Sequence, residues 1–205
     1  MSLTTPLEIQ VRPAQRDDVT FVSGMIQLSM GGLADYLFQE DERKIASLLQ
    51  TMFLRNAGRF GSGIAYVADE EGCPVGVLIS SEGARVDALN LATLPHLFPV
   101  LGIQRAFRMI WKGIRLPGGR EAGKDEYYIS NIGVPPATQG RGIGSRLLAF
   151  AEQVAHISNL GKCSLIVGLR NPDALRLYQR LGYRIVETTH ARNEALGYHR
   201  MVKVL

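Results

Sequence analysis

Cysteine is scarce in this 205-residue chain: there are two, Cys73 and Cys163, far apart. That excludes a disulfide scaffold and fits two reduced thiols in a cytoplasmic protein. Long apolar runs are also missing. None reaches the ~18 uncharged residues of a membrane span. The N-terminus has no basic segment followed by an apolar stretch, so no signal peptide is expected, and residues 1–6 read as a loose tail. The pI near 9.2 and net charge of +4 permit an acidic ligand. With no Lys/Arg block or recognition signature they do not demand nucleic acid. His96, His156, His190 and His199 have no ligand spacing with cysteines or carboxylates, so no metal is expected. Repeats and low-complexity segments are absent. What is present is 46% apolar and 20% charged sequence, enough for one well-buried core and short for two. A single domain over residues 1–205 is expected.

Taken in order, Ile9 to Arg12 alternates and reads as a strand stopped by Pro13. A helix capped by Asp17 or Asp18 runs to about Met30, where Gly31-Gly32 breaks it. A second helix spans about Glu40 to Asn56. Ile64 to Asp69 and Pro74 to Ser81 form a hairpin around Glu70-Glu71-Gly72. Tyr127 to Val134 and Lys162 to Leu169 are strands, with a helix after Gly144 between them. Asn171 and Pro172 open a helix that Gly182 stops. Tyr183 to Thr189 and Tyr198 to Leu205 close the chain as a strand pair. The segment 82–126 is too apolar for a disordered loop. Leu101, Ile103, Phe107, Ile110, Trp111 and Ile114 suggest one helical side, with Arg105, Arg108, Lys112 and Arg115 on another. It reads as a helical insert packed on the domain. A wall of an acceptor site, an oligomer contact, or attachment to an anionic membrane surface are the alternatives, the last constrained by Pro95 and Pro99, which limit helix length.

The chemistry concentrates between Tyr127 and Leu148. Pro135-Pro136 ends the strand, and Gly140, Gly142 and Gly144 follow at every second position just before a helix. Glycines let a backbone approach a ligand closely, and the first turn of a helix offers unpartnered N–H groups and positive potential, a natural seat for phosphate. Arg141 and Arg146 can add charge-assisted bonds. The Walker pattern is excluded because no Lys-Ser or Lys-Thr follows. The dinucleotide fingerprint fails at Ser145 and has no acidic residue about twenty positions on. The pattern present is Q-x-x-G-x-G: Gln139, Gly140, Arg141, Gly142, Ile143, Gly144, preceded by Ile132-Gly133-Val134-Pro135. This resembles the acyl-CoA signature of the GNAT superfamily of N-acetyltransferases.

The resemblance covers the whole order of elements. It implies an α/β fold: a mixed, mostly antiparallel central sheet flanked by helices, with a CoA-binding core over 127–189; the helical insert at 82–126, between strands 3 and 4, departs from the short connection that the family often has there. It implies acetyl-CoA as co-substrate and an N-acetyltransferase that passes the acetyl group directly to an amine. Backbone groups of Gln139 through Ser145 would contact the pyrophosphate, and those of Ile132 and Val134 the pantetheine arm. An N–H near Ile132 or Gly133 would face the acetyl oxygen. Asn171 and Tyr178 lie about two helical turns apart and share a face. By resemblance Asn171 touches pantetheine, Ala174 leaves it room, and Tyr178 protonates the departing thiolate. Tyr178 also reads as a core tyrosine with its hydroxyl at the rim. Many relatives carry a Glu where this chain has Tyr128. Glu126, on the same strand face, is the candidate base, with Glu82 as the other acid, and Ser130 and Asn131 to orient a water. Cys73 and Cys163 lack a basic partner, so no acetyl-cysteine route is expected. A homodimer is the family's habit. A non-catalytic acyl-CoA-binding sensor domain is the alternative function; a nucleic-acid-binding protein rests on pI alone.

Overall fold

The computed structural model describes residues 9–38 and 42–205; the expected N-terminal tail and the start of the expected second helix at Glu40 lie outside them. Seven strands form one sheet in the order β1-β2-β3-β4-β5-β7-β6. They are β1 (Gln10–Pro13), β2 (Ala65–Glu70), β3 (Cys73–Glu82), β4 (Tyr127–Gly133), β5 (Lys162–Gly168), β6 (Arg184–Thr189) and β7 (Tyr198–Val204). Every neighbouring pair is antiparallel except β4 and β5. The helices are α1 (Val19–Met30), α2 (Gly32–Phe38), α3 (Glu42–Leu54), α4 (Val86–Leu101), α5 (Ile103–Ile114), α6 (Ile143–Ile157) and α7 (Pro172–Arg180). This is the expected α/β architecture with its two-helix insert between β3 and β4.

Strand alternation divides the core in two. On one face Val67, Val77 and Ile79 pack with Val22 and Ile26 of α1, Leu48, Met52 and Phe53 of α3, and Leu97 of α4. On the other, Ala68, Leu78, Tyr127, Ile129 and Leu165 pack with Ile143, Leu147, Leu148 and Ala151 of α6. Gly76 sets the approach of α6, since a Cβ there would lie 2.8 Å from Ile143 Cγ2. The β2–β3 hairpin turns on Glu71 and Gly72, both at positive φ (52° and 84°), the type I′ geometry that matches strand twist. Asp69 Oδ1 accepts the Gly72 N–H at 2.7 Å.

Two expectations change. Gly31 (φ 48°) does end α1, but Gly32 opens α2 at once, a short helix where a break was expected. In the insert, Pro95 and Pro99 lie inside α4 and do not end it; Gly102, at φ 74°, makes the corner into α5. The expected apolar side of the insert also splits. Leu101 is buried and Ile110 packs against the core, while Ile103, Phe107, Trp111 and Ile114 are exposed.

Candidate active site

β4 is paired along its whole length with β3, from Glu82↔Tyr127 to Val77↔Gly133. With β5 it pairs only at Tyr127↔Cys163, Tyr128↔Ser164 and Ile129↔Leu165. Beyond Leu165, β5 continues with β7 as far as Gly168↔Tyr198. The two parallel strands therefore part after Ile129. The parting coincides with a bulge: Ile129 faces Ser80 and Asn131 faces Ile79, which leaves Ser130 as the extra residue. A bulge bends its strand and ends regular pairing. The later half of β4, with Ile132 and Gly133, thus turns a row of backbone groups toward an open wedge. Gly133 is needed there for packing, because a Cβ would lie 3.0 Å from the Met25 carbonyl oxygen of α1.

The wedge leads to the glycine bend. Pro136–Thr138 forms one turn of 3₁₀ helix, then Gly140 and Gly142 take φ of 79°. Gly142, with ψ of 5°, is the N-cap of α6 and has no side chain to offer its amides. Arg146 N–H donates to the Gly142 carbonyl at 3.1 Å, so the helical ladder begins there. Among the described residues, none accepts a hydrogen bond from the backbone N–H of Gly140, Arg141, Gly142, Ile143, Gly144 or Ser145. Six consecutive donors at a helix N-terminus make an anion seat. Gln139 shapes it: its Nε2 donates to the Val134 carbonyl at 3.1 Å, tying bend to strand. Arg141 is held by both oxygens of Glu70 at the end of β2, and Arg146 Nη1 donates to the Ile9 carbonyl at 3.2 Å. Both arginines are thus engaged with protein partners at the edge of the bend.

α7 flanks the seat. A Cβ at Gly144 would touch Leu177 Cδ2 at 3.5 Å, so the first turn of α6 faces α7 closely. Asn171 caps α7 as expected, its Oδ1 accepting the Ala174 N–H at 3.1 Å. Tyr178 is buried, packs with Ile143, Ile132 and Val134 in one cluster, and sits with its ring tilted against that of Tyr183, centroids 6.2 Å apart. Its hydroxyl makes no hydrogen bond among the described residues, yet the oxygen is not sealed from solvent. Burial pushes its pKa up to about 12, so the phenol stays protonated at neutral pH.

Glu126 departs from its expected role. Both its oxygens accept from Arg200 Nη2 of β7, at 2.7 and 2.5 Å, and Oε2 also accepts the Gly123 N–H at 2.7 Å. Burial alone would raise its pKa, but these bonds outweigh it and hold the carboxyl below its ordinary range. A carboxylate already bonded to Arg200 and the Gly123 N–H and so acidic is a poor base for an amine proton at neutral pH. Ser130 and Asn131 are likewise tied down: Ser130 Oγ lies 3.3 Å from the Ile79 carbonyl, and Asn131 Nδ2 donates to Ser29 Oγ at 2.8 Å. Glu82 is exposed at the end of β3.

A second ion pair lies beside the first, and the sequence does not announce it. Arg59 grips Glu121 at 2.9 and 2.5 Å, reaches Asn90 Oδ1 at 3.1 Å and points at the Tyr128 hydroxyl at 3.4 Å. Arg200 Nε donates to the Glu121 carbonyl at 3.2 Å, joining the two pairs. Burial and the nearby Glu121 charge push the Tyr128 phenol well above its usual range. A cleft of about 170 Å³ opens over this network between α4 and the 119–124 loop, lined in part by Asp87, Asn90 and Glu121. Cys163 is buried, and that burial raises its thiol to about 12, so it offers no thiolate at neutral pH. No group of three or more metal-ligating side chains is found among the described residues, and no helix among them is long and apolar enough to cross a membrane.

Comparison with known proteins agrees with this geometry. Residues 33–183 match the profile of the acetyltransferase (GNAT) family. The chain belongs to that family. N-alpha-acetyltransferase RimI of Mycobacterium tuberculosis is 43% identical over 61 residues, which is 30% of this chain and 37% of that protein. An N-acetyltransferase from Staphylococcus aureus superimposes with a TM-score of 0.71 at 21% identity, covering 94% of this chain and 99% of that one. PaiA N-acetyltransferase from Thermoplasma acidophilum, solved with coenzyme A, gives 0.58 at 13% identity over 97% and 100% of the two chains. The chain spans at most about two-fifths of the length of the curated relatives it matches.

Proposed function

We propose that the chain is an N-acetyltransferase that takes its acetyl group from acetyl-CoA and delivers it to an amine by direct attack in a ternary complex. The observation that carries this reading is the row of unpartnered amides from Gly140 to Ser145 at the mouth of the β4–β5 wedge. The residues present fit the co-substrate. The amides would take its diphosphate, the free edge of β4 at Ile132 and Val134 its amide-bearing arm, and Asn171 and Ala174 would flank that arm. Val134 contributes mainly its N–H, because Gln139 occupies its carbonyl. A β4 amide near Ile132 or Gly133 would donate to the carbonyl oxygen as charge builds there. Acetyl-CoA supplies an activated thioester: the amine nitrogen bonds to its carbonyl carbon, the carbon–sulfur bond breaks, and the thiolate takes a proton. Tyr178 is the donor in this reading, because its hydroxyl is protonated and has no hydrogen-bond acceptor among the described residues.

Glu126 is given no part in proton removal. The amine arrives deprotonated or loses its proton to solvent. The acceptor would enter over the cleft beneath α4, where the 119–124 loop and Asn90 form the walls. Calorimetry tests the first step: acetyl-CoA should bind in the low-micromolar to sub-millimolar range, and no detectable binding removes the proposal. Thiol release across a panel of amines tests the second. A binding-only domain keeps one observation in its favour, the engagement of Glu126. It is supported if acetyl-CoA binds and no amine class yields turnover.

A further inference from the structure

We infer that the outer face of α5 is a docking surface for an anionic phospholipid bilayer. The inference is independent of the acetyl-transfer reading. Four large apolar side chains lie along one side of this helix and stand in solvent: Ile103 (69% exposed), Phe107 (60%), Trp111 (56%) and Ile114 (72%). Their spacing of four, four and three places them in one line, and the helix is about 18 Å long. That length lies in an interface and cannot span it. The inward side of α5 is separately satisfied, by Ala106, Met109 and Ile110 against the core. The exposed line therefore continues the apolar arc beyond the part that the core covers.

Charge identifies the occupant. The next arc of the helix carries Arg105, Arg108, Lys112 and Arg115. Residues 88–120 hold five of the chain's 23 lysines and arginines and none of its 19 acids. Lys112 Nζ donates to the Tyr36 carbonyl at 2.6 Å and fixes α5 on α2. Arg115 lies 4.3 Å over the Trp111 ring, so an indole and a guanidinium reach out side by side. An apolar line with an indole, bordered by cations on a helix that carries no acid of its own, is the pattern of a helix lying in a headgroup layer. A second copy of the same face would bring like charges together, which disfavours a symmetric dimer across it.

Trp111 is the chain's sole tryptophan, so its emission reports this face directly. The full chain is titrated with phosphatidylcholine vesicles carrying about 30% phosphatidylglycerol in about 0.1 M salt, and followed by flotation. The expected result is a blue shift of Trp111 emission and flotation with these vesicles, both lost with pure phosphatidylcholine or high salt. Arg108→Glu should weaken partitioning about twentyfold. Ile103→Ser with Ile114→Ser should weaken it at least about tenfold, with far-UV circular dichroism unchanged to show the fold intact. Absence of a shift, equal binding to neutral vesicles, or variants that float like the parent would each overturn the inference. A blue shift that grows with protein concentration alone, with a dimer in sedimentation, would assign the face to a second copy and overturn it too.

Discussion

The two ends of β4 are built for opposite purposes. At the N-terminal end, Tyr127 to Ile129 is zipped between β3 and β5, and the polar side chains there are locked: Glu126, just before the strand, by Arg200, and Tyr128 beside Arg59. At the C-terminal end, past the bulge at Ser130, the β5 side is unpaired among the described residues, and the strand runs into a bend with six amides that have no partner among them. The charged residues that look most chemical hold the sheet together. The groups that face the open wedge are backbone, which composition and charge do not display. In this fold the ligand-ready surface is made by withholding hydrogen bonds, and the ionic residues are spent at the neighbouring end to stabilise the sheet where it is closed.

The largest effect should come from breaking the closed end. Glu126→Gln leaves Arg200 buried without its countercharge, and should lower unfolding free energy by about 3 kcal/mol. Chemical denaturation measures the loss, while calorimetry at a temperature where the variant remains folded should find acetyl-CoA affinity within about twofold of the parent. A large loss of turnover in a folded Glu126→Gln would restore the carboxylate to the chemistry. Ion-paired carboxylates set the acid limit, Glu126 and Glu121 at this end and Asp18 beside β1. All three have pKa values held below their ordinary ones by bonds that outweigh burial: the Gly123 N–H and Arg200 for Glu126, Arg59 for Glu121, and Arg12 with the Gln15 N–H for Asp18. Their contribution is present above the unfolded carboxylate value and is lost as pH falls through the folded one. Melting temperature should therefore stay level near neutrality and fall once pH drops below about 4.5.

Breaking the open end should spare the fold and cost the ligand. Gly142 sits at φ 79° with no atom near a would-be Cβ, so Gly142→Val meets backbone strain and not a clash. β-branched residues avoid that region. The bend must re-aim its amides, and acetyl-CoA affinity should fall about a hundredfold, roughly 2.7 kcal/mol, against a stability loss of about 1–2 kcal/mol. An unchanged dissociation constant would show that these amides are not the seat. Tyr178→Phe should act later in the reaction. Turnover should drop about ten- to a hundredfold with acetyl-CoA binding unchanged. Because burial keeps Tyr178 protonated to about 12 and no free carboxylate is assigned as base, the parent's rate should keep rising through pH 8 and 9 as the acceptor ammonium deprotonates. A plateau set by a group titrating near pH 6 or 7 would point to a base not identified here.

The open end was legible in the sequence and the closed end was not, for a physical reason. A strand ending in Pro135-Pro136, three alternate glycines and an amphipathic helix specify the bend locally, because positive φ and a bare N-terminus are properties of adjacent residues. Asn171-Pro172 and Gly182 mark α7 in the same way. The ion pairs join residues 62 and 74 positions apart, Arg59 to Glu121 and Arg200 to Glu126, and no local pattern encodes such partners. By sequence, Glu126 therefore reads as a candidate base on the strand face. The insert shows a third case. The apolar residues of α5 are visible by spacing, but periodicity cannot tell that Ala106 and Ile110 take the core while Trp111 and Ile114 are left outside, since both groups fall on one continuous apolar arc.

The finest test concerns Arg141, which stands where the two ends could trade roles. It belongs to the bend by sequence, yet Glu70 of β2 holds it by a two-pronged ion pair. Its side chain is 43% exposed, so the pair is screened by solvent and should contribute little to stability. If the bend binds the diphosphate through its amides, Arg141→Ala should weaken acetyl-CoA by about threefold or less, with little change in the salt dependence of binding. Should the arginine instead leave Glu70 for the ligand, the loss would exceed about tenfold and the salt dependence would flatten markedly. Calorimetry at two ionic strengths separates these outcomes. The smaller loss would mean that affinity is set by donors the fold leaves unbonded, with Arg141 serving the hairpin that supports them.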